Sequence, residues 1–390
     1  MNRKIVYLCL LCLPFISGLA RGEFTHPGVF VSLGQLQYVK NELSKEPWKT
    51  AYELTLRDNL ANLEYEPRPW ATVECGSFSN PNYGCSDEIR DAQAAYTQAL
   101  LWRLDGNVRY AENVRKILNA WANTLTGGHT NSNGPLQAAW AAELFTRAAE
   151  IVKYTYGGWP QAEKDKVTLL FARQYYPYVL RAFSGGYACY NKNWHASAIE
   201  AMFNMAVFNK NQAWLDDAVV KWRSLVPSYV YLSSDGVRPR DASWCSRSDT
   251  QINSHWNYPQ AYVDGISQES CRDFEHAAYG LAAIINVAES ARLQGIDLYG
   301  DQASKAALRI TAAMELHSAY QNGDHAKLCK NYDGYNNTIG TFEVGFNHYA
   351  LRQGISLPQT SLFLQKHRPA KGKFHYLWET LTHGLIGEIQ

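Results

Sequence analysis

The residues best suited to chemistry lie in one stretch, Gln268-Glu269-Ser270-Cys271-Arg272-Asp273-Phe274-Glu275-His276-Ala277-Ala278-Tyr279. Read as a helix, it carries Arg272, His276 and Tyr279 at i, i+4 and i+7, on one face. A fixed cation, an imidazole and a phenol side by side suit β-elimination next to a carboxylate. The cation offsets the carboxylate, a base takes the proton from the adjacent carbon, and an acid protonates the leaving oxygen. A free phenol has a pKa of about 10, so Tyr279 needs a neighbouring cation before it can act as base, and Arg272 is the expected source. The same three residues would also suit a salt bridge at a helix start beside a buried tyrosine.

Three further clusters share this chemistry. In Tyr190-Asn191-Lys192-Asn193-Trp194-His195, Asn193 fits a helix N-cap or an amide donor to an anion at a helix N-terminus, with Trp194 and His195 beside it. In Asn253-Ser254-His255-Trp256-Asn257-Tyr258, His255 could act as base or carboxylate partner, and Trp256 and Tyr258 offer rings. Gly345-Phe346-Asn347-His348-Tyr349 adds Asn347 and His348 as substrate contacts or scaffold. The chain holds 12 Trp and 25 Tyr, many in polar loops. Such rings stack on sugars, although each also suits a helix interface with its polar tip bonded. Phosphate-binding glycine loops, a Gly-x-Ser-x-Gly elbow and a His-Glu-x-x-His helix are absent from the sequence, which argues against those chemistries. The cysteine spacings do not match a zinc site, nor is there a twelve-residue calcium loop, so no metal or cofactor is expected.

These residues must be positioned by helices. Apolar residues recur at helical spacing near 87–104, 109–123, 137–155, 161–182, 195–208, 213–229, 274–293 and 302–320, with hardly any strand-like alternation. Turns at Leu104–Asn107, Phe208–Asn211 and Gly295–Asp297 each lead to an aromatic, Tyr110, Trp214 or Tyr299. Antiparallel helical hairpins repeated over one long unit imply an all-α fold, an incomplete or complete (α/α) toroid, because each hairpin needs neighbours to bury its apolar face.

Residues 1–22 pair Arg3 and Lys4 with an apolar run from Ile5 to Ile16 and the small residues Ser17, Gly18 and Ala20, the pattern of a secretory signal. The run is shorter than the roughly 20 residues a spanning helix needs. This leaves 23–390 as one secreted catalytic domain with no membrane anchor. Its 34 basic and 36 acidic residues give no global field for nucleic acid, so an anionic substrate must meet a local cluster of cations. Six cysteines remain in an oxidising compartment. Cys75 and Cys85 suit a local staple, while Cys189, Cys245, Cys271 and Cys329 could pair three ways.

Taken together, His26-Pro27-Gly28-Val29-Phe30-Val31-Ser32, Pro47-Trp48-Lys49, Asn193-Trp194, Gln268-Glu269-x-Cys271-Arg272-Asp273-x-x-His276, Gln294-Gly295-Ile296-Asp297-Leu298-Tyr299 and Phe346-Asn347-His348-Tyr349 resemble the secreted alginate lyase superfamily over nearly the whole mature chain. The resemblance implies an (α/α) toroid that cleaves a polyuronate, either alginate or a relative such as glucuronan. It also implies Asn193 as carboxylate grip and an Arg272–Tyr279 pair in which the tyrosine is acid and often base. Trp194 stands where those enzymes often carry histidine, so the assisting histidine must be another, with His276, His255 and His195 considered in that order. The expected partner is an acidic polysaccharide and the expected state a monomer. A glycoside hydrolase on the same scaffold would instead need two carboxylates from among Asp235, Asp241, Asp273 and Glu275, and a binding protein without turnover would keep only the aromatics.

Overall fold

The computed structural model describes residues 23–190, 192–324, 327–330 and 341–386; the expected signal segment lies outside them. Four helices, Cys85–Asp105, Gly134–Thr155, Lys192–Phe208 and Phe274–Leu293, form the inner wall of an (α/α) toroid. They are rich in alanine, a strong helix former small enough for close helix contacts, and three of the four are buried almost all round. Each packs on the next in chain order. Outer helices Val108–Thr124, Gln161–Leu170, Gln212–Tyr229 and Ala306–Gln321 return the chain between them. An apolar cluster extends from Val29 to Ile386.

The turns that close the hairpins follow their residue types. Asn107 and Asn211 accept hydrogen bonds from the first turns of the helices they open, and Gly106 ends the Cys85–Asp105 helix with φ of 83°, where glycine avoids the Cβ penalty. Large rings fill the interfaces with their tips bonded: Trp121 donates to Asp91 at 2.7 Å and Trp222 to the Ile284 carbonyl at 3.0 Å. Burying such a side chain stabilises the fold by roughly 1.5–3 kcal/mol.

The structure differs from the expected elements in instructive ways. The 161–182 segment is not one helix: it passes through a π-turn at Phe171–Tyr175 before Tyr176–Leu180, because Pro177 cannot donate to the preceding turn. The last long helix begins at Ala306 rather than 302. A three-stranded sheet of Val73–Cys75, Asn82–Tyr83 and His129–Thr130 has strands too short to show alternation. Cys75–Cys85 forms as expected, and Cys189–Cys245 and Cys271–Cys329 are the other two pairs. No described helix is long and apolar enough to cross a membrane.

Candidate active site

The four inner helices present their N-terminal ends to the same cleft. Ser86, Arg90 and Gln93 come from the first, Gln137 and Trp140 from the second, Lys192–Trp194 from the third, and Phe274–Tyr279 from the fourth. Converging N-termini favour an anionic occupant. The Phe274–Leu293 helix starts at Asp273, whose carboxylate accepts from the His276 backbone N–H at 2.7 Å. Arg272 therefore precedes the helix in a turn, not on its face as the spacing suggested.

At one flank, the buried Glu269 is a hub. It accepts from the Asn193 backbone at 2.8 Å, from the Asn193 amide at 2.9 and 3.0 Å, from the Tyr229 hydroxyl at 3.2 Å, and from Arg272 at 3.2 Å. Gly280 makes room for this, since a Cβ there would meet the Tyr229 hydroxyl at 2.0 Å. Asn193 is thus turned toward Glu269, with its Oδ1 buried and unpartnered. Around the hub lie Lys192, whose ammonium is pushed toward neutrality mainly by burial, and Arg247, which holds Asp241 and the Cys189 carbonyl. His255 stands near both, and burial and these cations lower it to about 3, so it stays an uncharged imidazole.

In the centre, His276 Nδ1 lies 2.7 Å from both Asp273 oxygens. Asp273 is held below the usual carboxylate range by His276 and Arg272, against its burial. As a carboxylate it accepts the Nδ1 proton, so in the neutral ring the lone pair is on Nε2. The ring of Tyr279 is 5.5 Å away, and its hydroxyl donates to Glu275 at 2.9 Å. Burial, then Glu275, raises the phenol's pKa. After burial, the charges that raise it most are Glu275 and Asp273, so the tyrosine rests as an acid, and Arg272 in this arrangement does not supply the activation expected from the spacing.

At the other flank, Lys373 pairs with Glu275 and stands 5.5 Å from the Tyr279 ring centre. Trp140 and Phe374 stack at 4.6 Å and both meet the Tyr279 edge. Beyond them opens a cavity of about 510 Å³ lined by Arg90, Gln93, Gln137, Lys371 and Lys373. Sequence reading missed Glu269, Trp140 and Lys373, and it considered Glu275 only as a hydrolase carboxylate. Glu269 and Glu275 stood in the singled-out stretch as acidic neighbours of Arg272 and His276, whereas nothing near Trp140 or Lys373 in sequence ties them to it.

Several expected contacts lie elsewhere. His195 is fully buried, with Nε2 donating to the Ala182 carbonyl at 2.6 Å and Nδ1 accepting from Trp244 at 3.2 Å, and burial lowers it to about 4. It is a packing residue. Trp256 is buried against Tyr262. Trp194 is half-buried between Tyr187 and Tyr190, and Tyr258 is exposed. Asn347 is buried, bonding the His383 and Ile386 carbonyls and Arg352. His348 stacks on Tyr299 at 3.7 Å and lines a different pocket with Arg292. Arg292 is 13 residues along the helix from Tyr279, about 20 Å at 1.5 Å per residue, so Asn347 and His348 sit at the opposite end of the toroid.

The hydrolase alternative fails on charge. A general acid must be held protonated, but against their burial Asp235 and Glu275 are lowered by the Arg309 and Lys373 cations and Asp273 by its hydrogen bonds from His276 and by nearby Arg272, and Asp241 is paired with Arg247.

Solved structures share the fold. Alginate lyase A1-III complexed with tetrasaccharide aligns at TM-score 0.64 with 15% identity, covering 93% of this chain and 97% of that one. The same enzyme from Sphingomonas species A1 aligns at 0.62 with 14% identity, covering 92% and 99%. An alginate lyase from Bacteroides ovatus aligns at 0.63 with 12% identity, covering 93% and 100%. No curated protein matches by sequence. Fold and site together define a helical-toroid polysaccharide lyase. The alginate lyase family profile matches residues 80–328, and the chain belongs to that family.

Proposed function

We propose that this enzyme, a polysaccharide lyase acting on alginate, cleaves by β-elimination with His276 as base and Tyr279 as acid. The observation that carries this reading is their adjacency with different carboxylate neighbours: Asp273 engages His276 Nδ1, which directs the lone pair of the neutral ring to Nε2, and Glu275 accepts from the Tyr279 phenol. The polymer runs across the mouth between Lys192, Arg247 and Arg272 on one side and Lys373, Lys371 and Arg90 on the other. Arg272, assisted by Lys192 and the uncharged His255, neutralises the uronate carboxylate, which stabilises the charge that develops on proton loss. His276 removes the C5 proton, Tyr279 protonates the leaving O4, and a double bond forms between C4 and C5. Glu275, shared by Tyr279 and Lys373, holds the phenol in place as a hydrogen-bond acceptor. Asn193, held by Glu269, can turn its amide to the uronate carboxylate. Trp194, Trp140 and Phe374 supply ring surfaces for neighbouring sugars, and Tyr258 marks the outer rim.

Three disulfides fit an oxidising compartment, which supports secretion after loss of residues 1–22. We also take the enzyme to be a single domain acting as a monomer, which light scattering at the mass of one chain would check. The deciding experiment follows ultraviolet absorbance on polymannuronate, polyguluronate and glucuronan, with chelator present. A rise on an alginate block supports the reading and names the preferred uronate. A rise on glucuronan alone moves the substrate, and saturated products would refute the elimination.

A further inference from the structure

Directly beneath Tyr279 lies a sealed polar cluster that the chemistry above does not use. Glu143 and Arg147 come from the Gly134–Thr155 helix, Glu200 from Lys192–Phe208, Asn286 from Phe274–Leu293, and His375 from the Phe374–Tyr376 turn. All are buried. Tyr96 and Glu379 close it from the Cys85–Asp105 and Glu379–His383 helices.

The hydrogen bonds within it leave one proton to be placed. His375 Nε2 lies 2.7 Å from the main-chain oxygen of Tyr279. A carbonyl only accepts, so Nε2 carries a proton. The other ring nitrogen, Nδ1, stands 3.1 Å from Glu143 Oε2. A neutral imidazole in this tautomer has a lone pair at Nδ1, and an ionised Glu143 has only lone pairs, so the two would repel in a medium that screens poorly. Both Glu143 oxygens, His375 Nδ1 and the neighbouring Ser197 hydroxyl are buried without any other hydrogen-bond partner. Glu200 is different: the Arg147 guanidinium takes one of its oxygens and the Asn286 amide the other at 3.1 Å. Arg147 bonds Glu200 and not Glu143, and its charge only partly offsets the burial of Glu143.

We infer that Glu143 and His375 share one trapped proton, and that this neutral pair clamps the Tyr279 main chain and so aims its hydroxyl at the cleft. Burial raises Glu143 well above the carboxylate range and lowers His375, so the proton resides on Glu143. Both are positioning residues, since neither touches substrate. Arg147 and Asn286 fix the His375 carbonyl at 2.8 and 3.1 Å, so the turn that carries the imidazole is itself held. Donor atoms of Glu143, Glu200 and His375 lie within 4.8 Å of one another, and a divalent cation is the competing occupant. The prior engagement of both Glu200 oxygens leaves only two open ligands and favours the proton.

The positioning role rests on Tyr279 being the acid; the trapped proton does not. The sign of the linkage is definite. A folded-state pKa above the unfolded value of about 4.3 contributes stability that is complete below that pH and is lost as pH rises toward the folded value. The test compares the full chain with Glu143→Gln, which keeps the shape and an N–H donor, and with Glu143→Leu, which keeps neither charge nor donor. Between about pH 5 and 7 the unfolding equilibrium constant of the wild type should rise about a hundredfold relative to Glu143→Gln, one proton's worth over two pH units. A ratio that stays constant with pH overturns the trapped proton. So does one equivalent of divalent metal in the purified protein whose removal by chelator destabilises it. For the clamp, kcat of Glu143→Leu should fall about tenfold at unchanged KM, with Glu143→Gln recovering most of it. A Leu variant with wild-type kcat overturns the clamp, and so does a Gln variant no better than Leu. Full turnover by Tyr279→Phe would instead remove Tyr279 from the chemistry and leave the pH slope as the separate measure of the proton.

Discussion

At the scale of single residues, the site separates a base from an acid by giving each a different neighbour. Asp273 takes one nitrogen of His276 and frees the other, while Glu275 accepts from Tyr279 and keeps it a phenol. Positioned acids and bases contribute about 10²–10⁴-fold each. Tyr279→Phe should therefore lose turnover by that order in the ultraviolet assay while its circular dichroism and melting curve stay those of the wild type; His276→Ala should lose a similar factor. The Asp273 carboxylate also carries a stability term of definite sign. Its folded pKa is depressed, so the contribution is present above the unfolded value of about 3.9 and is lost as pH falls through the folded value. Asp273→Asn should flatten the acid limb of the stability profile between those values, as denaturant titrations across that range would show.

At the scale of elements, close approach and cross-links hold the start of the Phe274–Leu293 helix. Gly280 lets the Tyr229 hydroxyl reach Glu269, and glycine inside a helix is otherwise less stable than alanine by about 1 kcal/mol. Gly280→Ala should then reverse the usual order: the added carbon displaces Tyr229, so kcat falls and the melting temperature drops instead of rising. The Cys271–Cys329 disulfide, 58 residues apart, ties the turn carrying Arg272 to the far side of the chain. A loop of that length corresponds to about 4 kcal/mol of unfolded-state restriction. Replacing both cysteines by alanine should lower the unfolding free energy by up to that amount, and kcat should fall with it because Arg272 adjoins the lost bond.

At the scale of the whole molecule, the near-neutral chain sets Arg90, Lys371 and Lys373 along one side of the cleft where four helix N-termini converge. Attraction of an anionic polymer is then local, and exposed charges are screened over about 8–10 Å at physiological salt. Raising ionic strength should lower kcat/KM more than kcat, and charge-removing changes at Arg90 and Lys371 should weaken that salt dependence while leaving the His276–Tyr279 chemistry in place. Steady-state kinetics over a salt series would check both.

The sequence by itself determined the helical pattern, the hairpin turns and the stretch from Gln268 to Tyr279, because helical periodicity, asparagine caps and the Arg–His–Tyr spacing are all local. Seven of the eight expected helices needed only small shifts at their ends, and the eighth failed at Pro177, a local rule outweighed by the apolar spacing around it. Only the tertiary structure decided which polar residues face the cleft. His195, Asn347 and His348 carry the same chemistry as His276, but packing turns His195 inward and the length of the Phe274–Leu293 helix puts the other two at the far end. The proton states followed the same division. Burial decides whether Tyr279 rests as acid and whether Glu143 keeps a proton; the Glu275 that Tyr279 meets is only four residues away, but Lys373 with Glu275 and His375 with Glu143 join residues about 100 or more positions apart, which no spacing along the chain encodes.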